Sequence, residues 1–178
     1  RTAIYFSEVK VEIREVLLKD KPLEMTSISK KSTVPILKLD QKVIDESLDI
    51  MLWALRLGDK KNLLSPYREN KEYVIKFIKK FDIEYKYHLD RYKYDNRYIN
   101  DKEYIGKLKH RDNAYQYLNY LNQLLLNNKS NFLYKEELSI LDISIFPLIR
   151  QFRIADQNWF DTKQELFEVK KWLDNLIN

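Results

Sequence analysis

The residues that could do chemistry in this chain are few. It has no cysteine and two histidines, His88 and His110. Without cysteine there is no disulfide, no thiolate metal site and no thiol nucleophile, a pattern consistent with a reducing compartment. The two histidines fall in no metal-ligand spacing, and no carboxylate-only metal site is signalled. Gly58 and Gly106 are the only glycines, too few for a phosphate-cradling loop. No nucleophile–base pair announces itself, and Tyr5 and Ser7 fall at the end of a helical pattern. What stands out is Glu46-Ser47, at the head of an apolar-periodic run. A serine hydroxyl and the free N–H groups of a helix N-terminus can receive a carboxylate, helped by the helix dipole. The neighbouring glutamate can hold an ammonium group. The same residues also suit ordinary capping, with Asp45 or Ser47 as N-cap.

Positioning that pair is the work of the stretch from Ser32 to Leu57. Proline cannot donate to a ladder, so Pro35 must stand at the entry to a strand over Ile36–Leu39. A proline at such a corner is a candidate for the cis isomer. Asp40-Gln41 forms the turn, Val43-Ile44 a second short strand, and Asp45-Glu46-Ser47 opens a helix. That helix carries Leu48, Ile50, Met51, Trp53, Ala54 and Leu57 at its apolar positions.

Further elements surround this hairpin. Arg1 to Phe6 reads as the end of a helix. From Val9 to Leu17 the odd positions are mostly apolar and the even ones mostly charged, which predicts a strand with one buried face. Lys19 to Pro22 is a turn, and Pro22 opens a short helix through Met25. Residues 1–58 thus read as an α/β domain. Gly58 suits the position that ends the preceding helix, and residues 59–66 form a linker. Residues 67–178 read as all-helical. One helix is expected from near Arg68 to about Arg91 on Tyr73, Val74, Ile75, Phe77, Ile78, Phe81, Ile83, Tyr85 and Leu89. A second is expected over Lys102 to Asn127, on Ile105, Leu108, Tyr115, Leu118, Leu121, Leu124 and Leu125. Ser139 and Asp142 form a capping box that opens a nearly all-apolar, buried helix with Pro147 inside it. A last helix is expected from Thr162 to about Leu176, with Leu166, Phe167, Val169, Trp172 and Leu173 among its apolar residues.

Bulk properties narrow the function classes. With 178 residues, of which 44% are apolar, the chain can build a real core. No apolar stretch is long enough to span a bilayer, and no signal peptide is visible. The net charge of +5 is dispersed and interleaved with acids rather than gathered in a basic block. Tyr87 to Tyr94 mixes tyrosines with cations and could stack single-stranded bases. Tyrosine rings packing a helix end explain the same segment. We therefore expect no nucleic-acid and no membrane partner.

Val34-Pro35 entering a strand, a hairpin, and Glu46-Ser47 at a helix start together resemble the glutathione-binding half of the cytosolic glutathione transferases, of bacterial type. Ser139 and Asp142 match the capping box of that family's helical domain. The resemblance implies a thioredoxin-like N-terminal domain followed by an all-helical bundle domain. It implies that the Val34 backbone pairs with the cysteinyl part of glutathione, that Pro35 is cis, and that Glu46 and Ser47 bind the γ-glutamyl end. Lys21, immediately before Pro22, matches a lysine that in some branches reaches the glycyl carboxylate; it equally suits a solvated surface. The Pro and Gly usual in the family's loop before the Val-Pro corner are absent from Ser29 to Ser32. In the family the first strand and the active-site turn come just before the helix that Arg1 to Phe6 would end. The catalytic Ser, Cys or Tyr is accordingly expected before Arg1, making the chain N-terminally truncated. The function implied is conjugation or reduction of a small electrophile by glutathione, with the electrophile on the first helix of the helical half. A symmetric homodimer, a cytoplasmic location and no metal go with it. The alternative is a non-catalytic interaction module of the same fold.

Overall fold

The computed structural model describes residues 1–177. It divides into two compact units, Arg1–Asn62 and Leu63–Asn178. In the first unit the elements run α1 (Thr2–Ser7), α2 (Leu23–Ile28), β1 (Leu37–Lys38), β2 (Val43–Ile44) and α3 (Ser47–Leu57). β1 and β2 are antiparallel, with Leu37 opposite Ile44 and Lys38 opposite Val43. Asp40-Gln41 makes the turn, closed by the Leu39 N–H donating to the Lys42 carbonyl at 2.8 Å.

α1 packs on α3. The approach is close because position 58 is glycine. A Cβ there would lie 2.2 Å from the Ser7 carbonyl oxygen. Gly58 ends α3 with φ −157°, extended backbone that any residue adopts. Its role is therefore to let two backbones meet, not to supply a left-handed cap. α3 buries Ile50, Leu52, Ala54 and Leu55, while Leu57, expected on the apolar face, is exposed.

The strand expected over Val9 to Leu17 is not formed. Residues 9–16 have no regular structure, and a single bridge joins Leu17 to Asp20. A strand exists only through a neighbour that takes its backbone hydrogen bonds. No neighbour pairs with this segment among the described residues, so alternation alone does not order it. Ile13 is 59% exposed.

The second unit is helical throughout. α4 (Ser65–Glu69) and α5 (Lys71–Lys79) lead through a π-helical turn (Lys80–Tyr85) into α6 (Lys86–Lys93). One helix was expected from Arg68 to Arg91. The break at Asn70 arises because its side chain caps α5, accepting the Tyr73 N–H at 3.0 Å. α7 (Lys107–Asn128) begins five residues later than its pattern suggested. Gly106 has φ +101°, which no right-handed helix accommodates, so Ile105 falls outside; Leu108, inside α7, is exposed. α8 (Ile140–Ala155), α9 (Gln157–Thr162) and α10 (Phe167–Ile177) complete the unit. The helix expected from Thr162 to about Leu176 is α10, which starts at Phe167 after a 3₁₀ turn over Gln164–Leu166, and α9 precedes it. Phe167, the first residue of α10, is exposed rather than buried.

Asp142 organises this core. It is 0% exposed and accepts four hydrogen bonds. The Ser139 N–H (2.9 Å) and Ser139 hydroxyl (2.7 Å) reach one oxygen, closing the capping box. The Leu133 N–H (2.8 Å) and Trp172 Nε1–H (2.9 Å) reach the other. Burial pushes its pKa up, against the pull of those donors. One carboxylate thus ties the start of α8 to the loop before it and to α10. Asn122 on α7 adds a second cross-link, its Oδ1 accepting the N–H groups of Glu168 and Val169 at the start of α10.

Candidate functional site

The hairpin brings the predicted residues to one end of the first unit. Continuing the β1–β2 register past Leu37 and Ile44 puts Val34 and Pro35 level with Glu46 and Ser47. The Val34–Pro35 peptide bond is cis. Val34 is half exposed, and its backbone N–H and carbonyl pair with no other backbone group among the described residues. A short, open edge of chain is therefore presented beside a helix start.

That helix start carries no side-chain cap. The residue in N-cap position is Glu46, with φ −110° and ψ 131°, and no side chain accepts the first-turn N–H groups. Neither Asp45 nor Ser47 caps the helix. Asp45 is turned to the preceding loop, where the buried Ser29 hydroxyl donates to its Oδ2 at 2.8 Å. Ser47 is exposed and makes no hydrogen bond to another side chain among the described residues. The first-turn donors, the Ser47 hydroxyl and the positive end of the helix dipole thus face outward together.

Lys31 is the residue that sequence reasoning missed. Its ammonium pairs with the Glu46 carboxylate and lies 3.9 Å from Asp45 Oδ1. The hydrogen bond to Glu46 raises the Lys31 pKa above its usual value. The signal in the sequence was a lysine three residues before Val34, hidden in a polar run read only as a loop. Lys21 is exposed at the entry to α2 and has no hydrogen bond or ion pair among the described residues; nothing joins it to the other four.

Ser7, not Tyr5, has a structural role. Tyr5 is exposed, and the buried Ser7 hydroxyl donates to the Ile4 carbonyl at 2.9 Å while accepting the Val9 N–H at 3.3 Å. The arrangement around Glu46 offers an ammonium acceptor, carboxylate-receiving donors and a free backbone edge. That set suits a short zwitterionic peptide.

Residues 1–61 match the family described as glutathione S-transferase, N-terminal domain. Residues 84–177 match glutathione S-transferase, C-terminal domain. The chain belongs to the glutathione S-transferase family. A solved structure, glutathione S-transferase 1-6 from Anopheles dirus species B, superposes with a TM-score of 0.70 at 19% identity. The match covers 98% of this chain and 81% of that one. No curated protein sequence matches. The chain is accordingly a thioredoxin-like domain followed by an all-helical domain, here with a two-stranded sheet among the described residues. Among those residues no cluster of three or more metal-ligating side chains occurs, and no helix is long and apolar enough to cross a membrane.

Proposed function

We propose that the first unit of this transferase binds glutathione, and that the protein conjugates or reduces a small electrophile with it. The observation that carries the reading is the coincidence, at one end of a hairpin, of the unpaired Val34 backbone beside a cis Pro35 and an uncapped α3 start. In this reading the Val34 N–H and carbonyl pair with the cysteinyl residue of glutathione. Ser47 and the first-turn N–H groups hold the γ-glutamyl carboxylate, and Glu46 holds the α-ammonium. Lys21 reaches the glycyl carboxylate. The glutathione thiolate is the nucleophile, and the fold's task is to bind it and keep its pKa low.

An open groove of about 610 Å³ on the first long helix of the second unit supports a place for the electrophile. It is lined by Ile75 and Ile83 together with lysines of α5 and the π-helical turn and the acids Glu72 and Glu84. The family reading further implies a symmetric dimer and a cytoplasmic location; sedimentation equilibrium tests the dimer.

Glutathione should raise the melting temperature by mass action, by RT ln(1 + [L]/Kd) in free energy, or about 2.7 kcal/mol at a hundred-fold excess over Kd. Replacing both Glu46 and Ser47 by alanine should abolish the rise, because neither residue supports the core. A rise that survives the double substitution places the ligand elsewhere. No rise in the unaltered protein leaves a transferase-fold module without glutathione binding, the reading favoured by the Lys31 ammonium already standing on Glu46.

A further inference from the structure

The two histidines, on different helices, meet in the second unit. His88 on α6 and His110 on α7 place their Nδ1 atoms 2.9 Å apart, a hydrogen bond between the rings. His110 is fully buried. Its other nitrogen, Nε2, lies 3.3 Å from the backbone N of Ile105 and accepts that N–H. These partners fix the protons. Nε2 of His110 must carry a lone pair, so its proton sits on Nδ1 and is donated to Nδ1 of His88. His88 then holds its own proton on Nε2.

This network has no place for another proton. If His110 is protonated, Nε2–H confronts the Ile105 N–H. If His88 is protonated, its Nδ1–H confronts a donor on His110, unless His110 changes tautomer and confronts Ile105 instead. Every protonated state sets two donors against each other and breaks one of the two bonds.

What the pair holds is the Ile105 end of the connection from Tyr94 to Gly106. Ile105 is its last anchor before α7. The titratable and charged groups around the pair are Tyr87 and Arg91 from α6, and Asp101, Glu103 and Tyr104 from the connection. Arg91 pairs with Asp101, and its guanidinium lies 3.6 Å from the Tyr87 ring centroid. The Tyr87 hydroxyl donates to Glu103 Oε2 at 3.0 Å. The Tyr104 ring stacks on His110 at 5.5 Å. Among these only the histidines change charge near neutrality.

We propose that His88 and His110 form an acid-released latch: a proton taken up on His110, or on His88 with the tautomer shift that follows on His110, releases the Ile105 N–H and loosens that end of the 94–106 connection from α7, while Arg91–Asp101 and Tyr87–Glu103 still hold it to α6. The surroundings act in the same sense. Burial lowers the pKa of both rings, with the Arg91 charge adding to each and the His88 charge adding to His110; Asp101 opposes only for His110. A lowered histidine pKa means that the closed form prefers the neutral pair. Its stability is therefore whole above the ordinary value of 6.5 and is lost as pH falls from there toward the lowered value. Asp101 works in a separate window. The Glu103 backbone N–H and Arg91 hold its pKa below 3.8, so its contribution persists until far more acid conditions.

The test is amide hydrogen exchange of the full chain by NMR, from about pH 7.5 to about pH 5.5, corrected for intrinsic exchange. Opening at Ile105 should grow by up to about tenfold per pH unit below roughly 6.5. The Ile140 amide, which donates to the Leu63 carbonyl at 2.9 Å, should not follow. Constant protection at Ile105, or equal loss at Ile140, overturns the latch. In His110→Gln the amide oxygen can accept the Ile105 N–H but cannot titrate, so protection should survive acid; loss of protection with the unaltered pH profile overturns the proposal. Imidazole nitrogen shifts of the unaltered protein give a check that needs no variant. His110 must be protonated on Nδ1 and bare on Nε2 at neutral pH, and the opposite tautomer overturns it.

Discussion

The two units of this chain seal their buried apolar residues to different degrees. In the second, Phe81, Tyr85, Leu118, Leu121, Phe152, Phe160 and Trp172 are all but sealed from solvent around a buried carboxylate. In the first, Ile13, Leu17, Leu18 and Leu23 lie exposed, Leu23 at 84%, and large residues such as Met25, Ile44 and Ile50 keep 7–8% of their surface open. Burial of apolar surface contributes roughly 25 cal/mol per Å², so the larger share of that term comes from the second unit, which buries more apolar side chains. The residues proposed to bind glutathione are all in the first. Binding surfaces come from the less stable parts of folds, where backbone groups are left unpaired for a ligand. A substitution in one unit should therefore read out differently from a substitution in the other.

The largest effect is expected at Asp142. Asp142→Ala leaves the Trp172 indole N–H and the Leu133 N–H buried without an acceptor and opens the α8 capping box. Breaking such a network by removing one partner costs about 3–5 kcal/mol. Urea denaturation followed by far-UV circular dichroism should show the midpoint fall accordingly. A loss below about 1 kcal/mol would mean that the core repacks around the missing carboxylate, and the contrast between the units would fail.

Gly58→Ala should cost less and act on the first unit. The added methyl would meet the Ser7 carbonyl oxygen at 2.2 Å, a contact with backbone that cannot rotate away. α1 and α3 must part, at about 1–3 kcal/mol. Trypsin should then cut faster at Lys10 and Arg14, in the segment that already lacks regular structure, while the second unit stays intact. Equal acceleration of cleavage in α7 would show that the two units unfold together.

The same contrast explains what could be read from the sequence. The hairpin was legible because Pro35 and the Asp40-Gln41 turn are local signals, and the α8 box because Ser139 and Asp142 are three residues apart. Helices of the second unit were legible from their period, but their ends were not. Asn70 and Gly106 set them, one through a side-chain cap and one through a positive φ, and neither interrupts the apolar pattern. The alternation from Val9 to Leu17 misled because it reports what a strand could bury, not whether a neighbour is there to pair with it. The Lys31–Glu46 pair and the His88–His110 bond were out of reach for a different reason. Each joins residues distant in sequence, and nothing in either residue's own neighbourhood announces the other.

Lys31 gives the smallest and most discriminating change. Its pair with Glu46 is exposed on both sides, so Lys31→Ala should leave the urea midpoint where it is. Its effect belongs to binding. The proposed role of Glu46 is to hold the α-ammonium of glutathione, and Lys31 competes for that carboxylate. Removing the lysine should tighten glutathione binding by a few-fold in a calorimetric titration at low salt. Added salt should shrink the difference, because exposed charges are screened beyond roughly 10 Å at 0.1 M. A weakening instead would assign Lys31 itself to a carboxylate of glutathione. The peptide would then lie across the end of the hairpin with its negative groups on Lys31 and the α3 N-terminus, and Glu46 would serve to position the lysine rather than to touch the ligand.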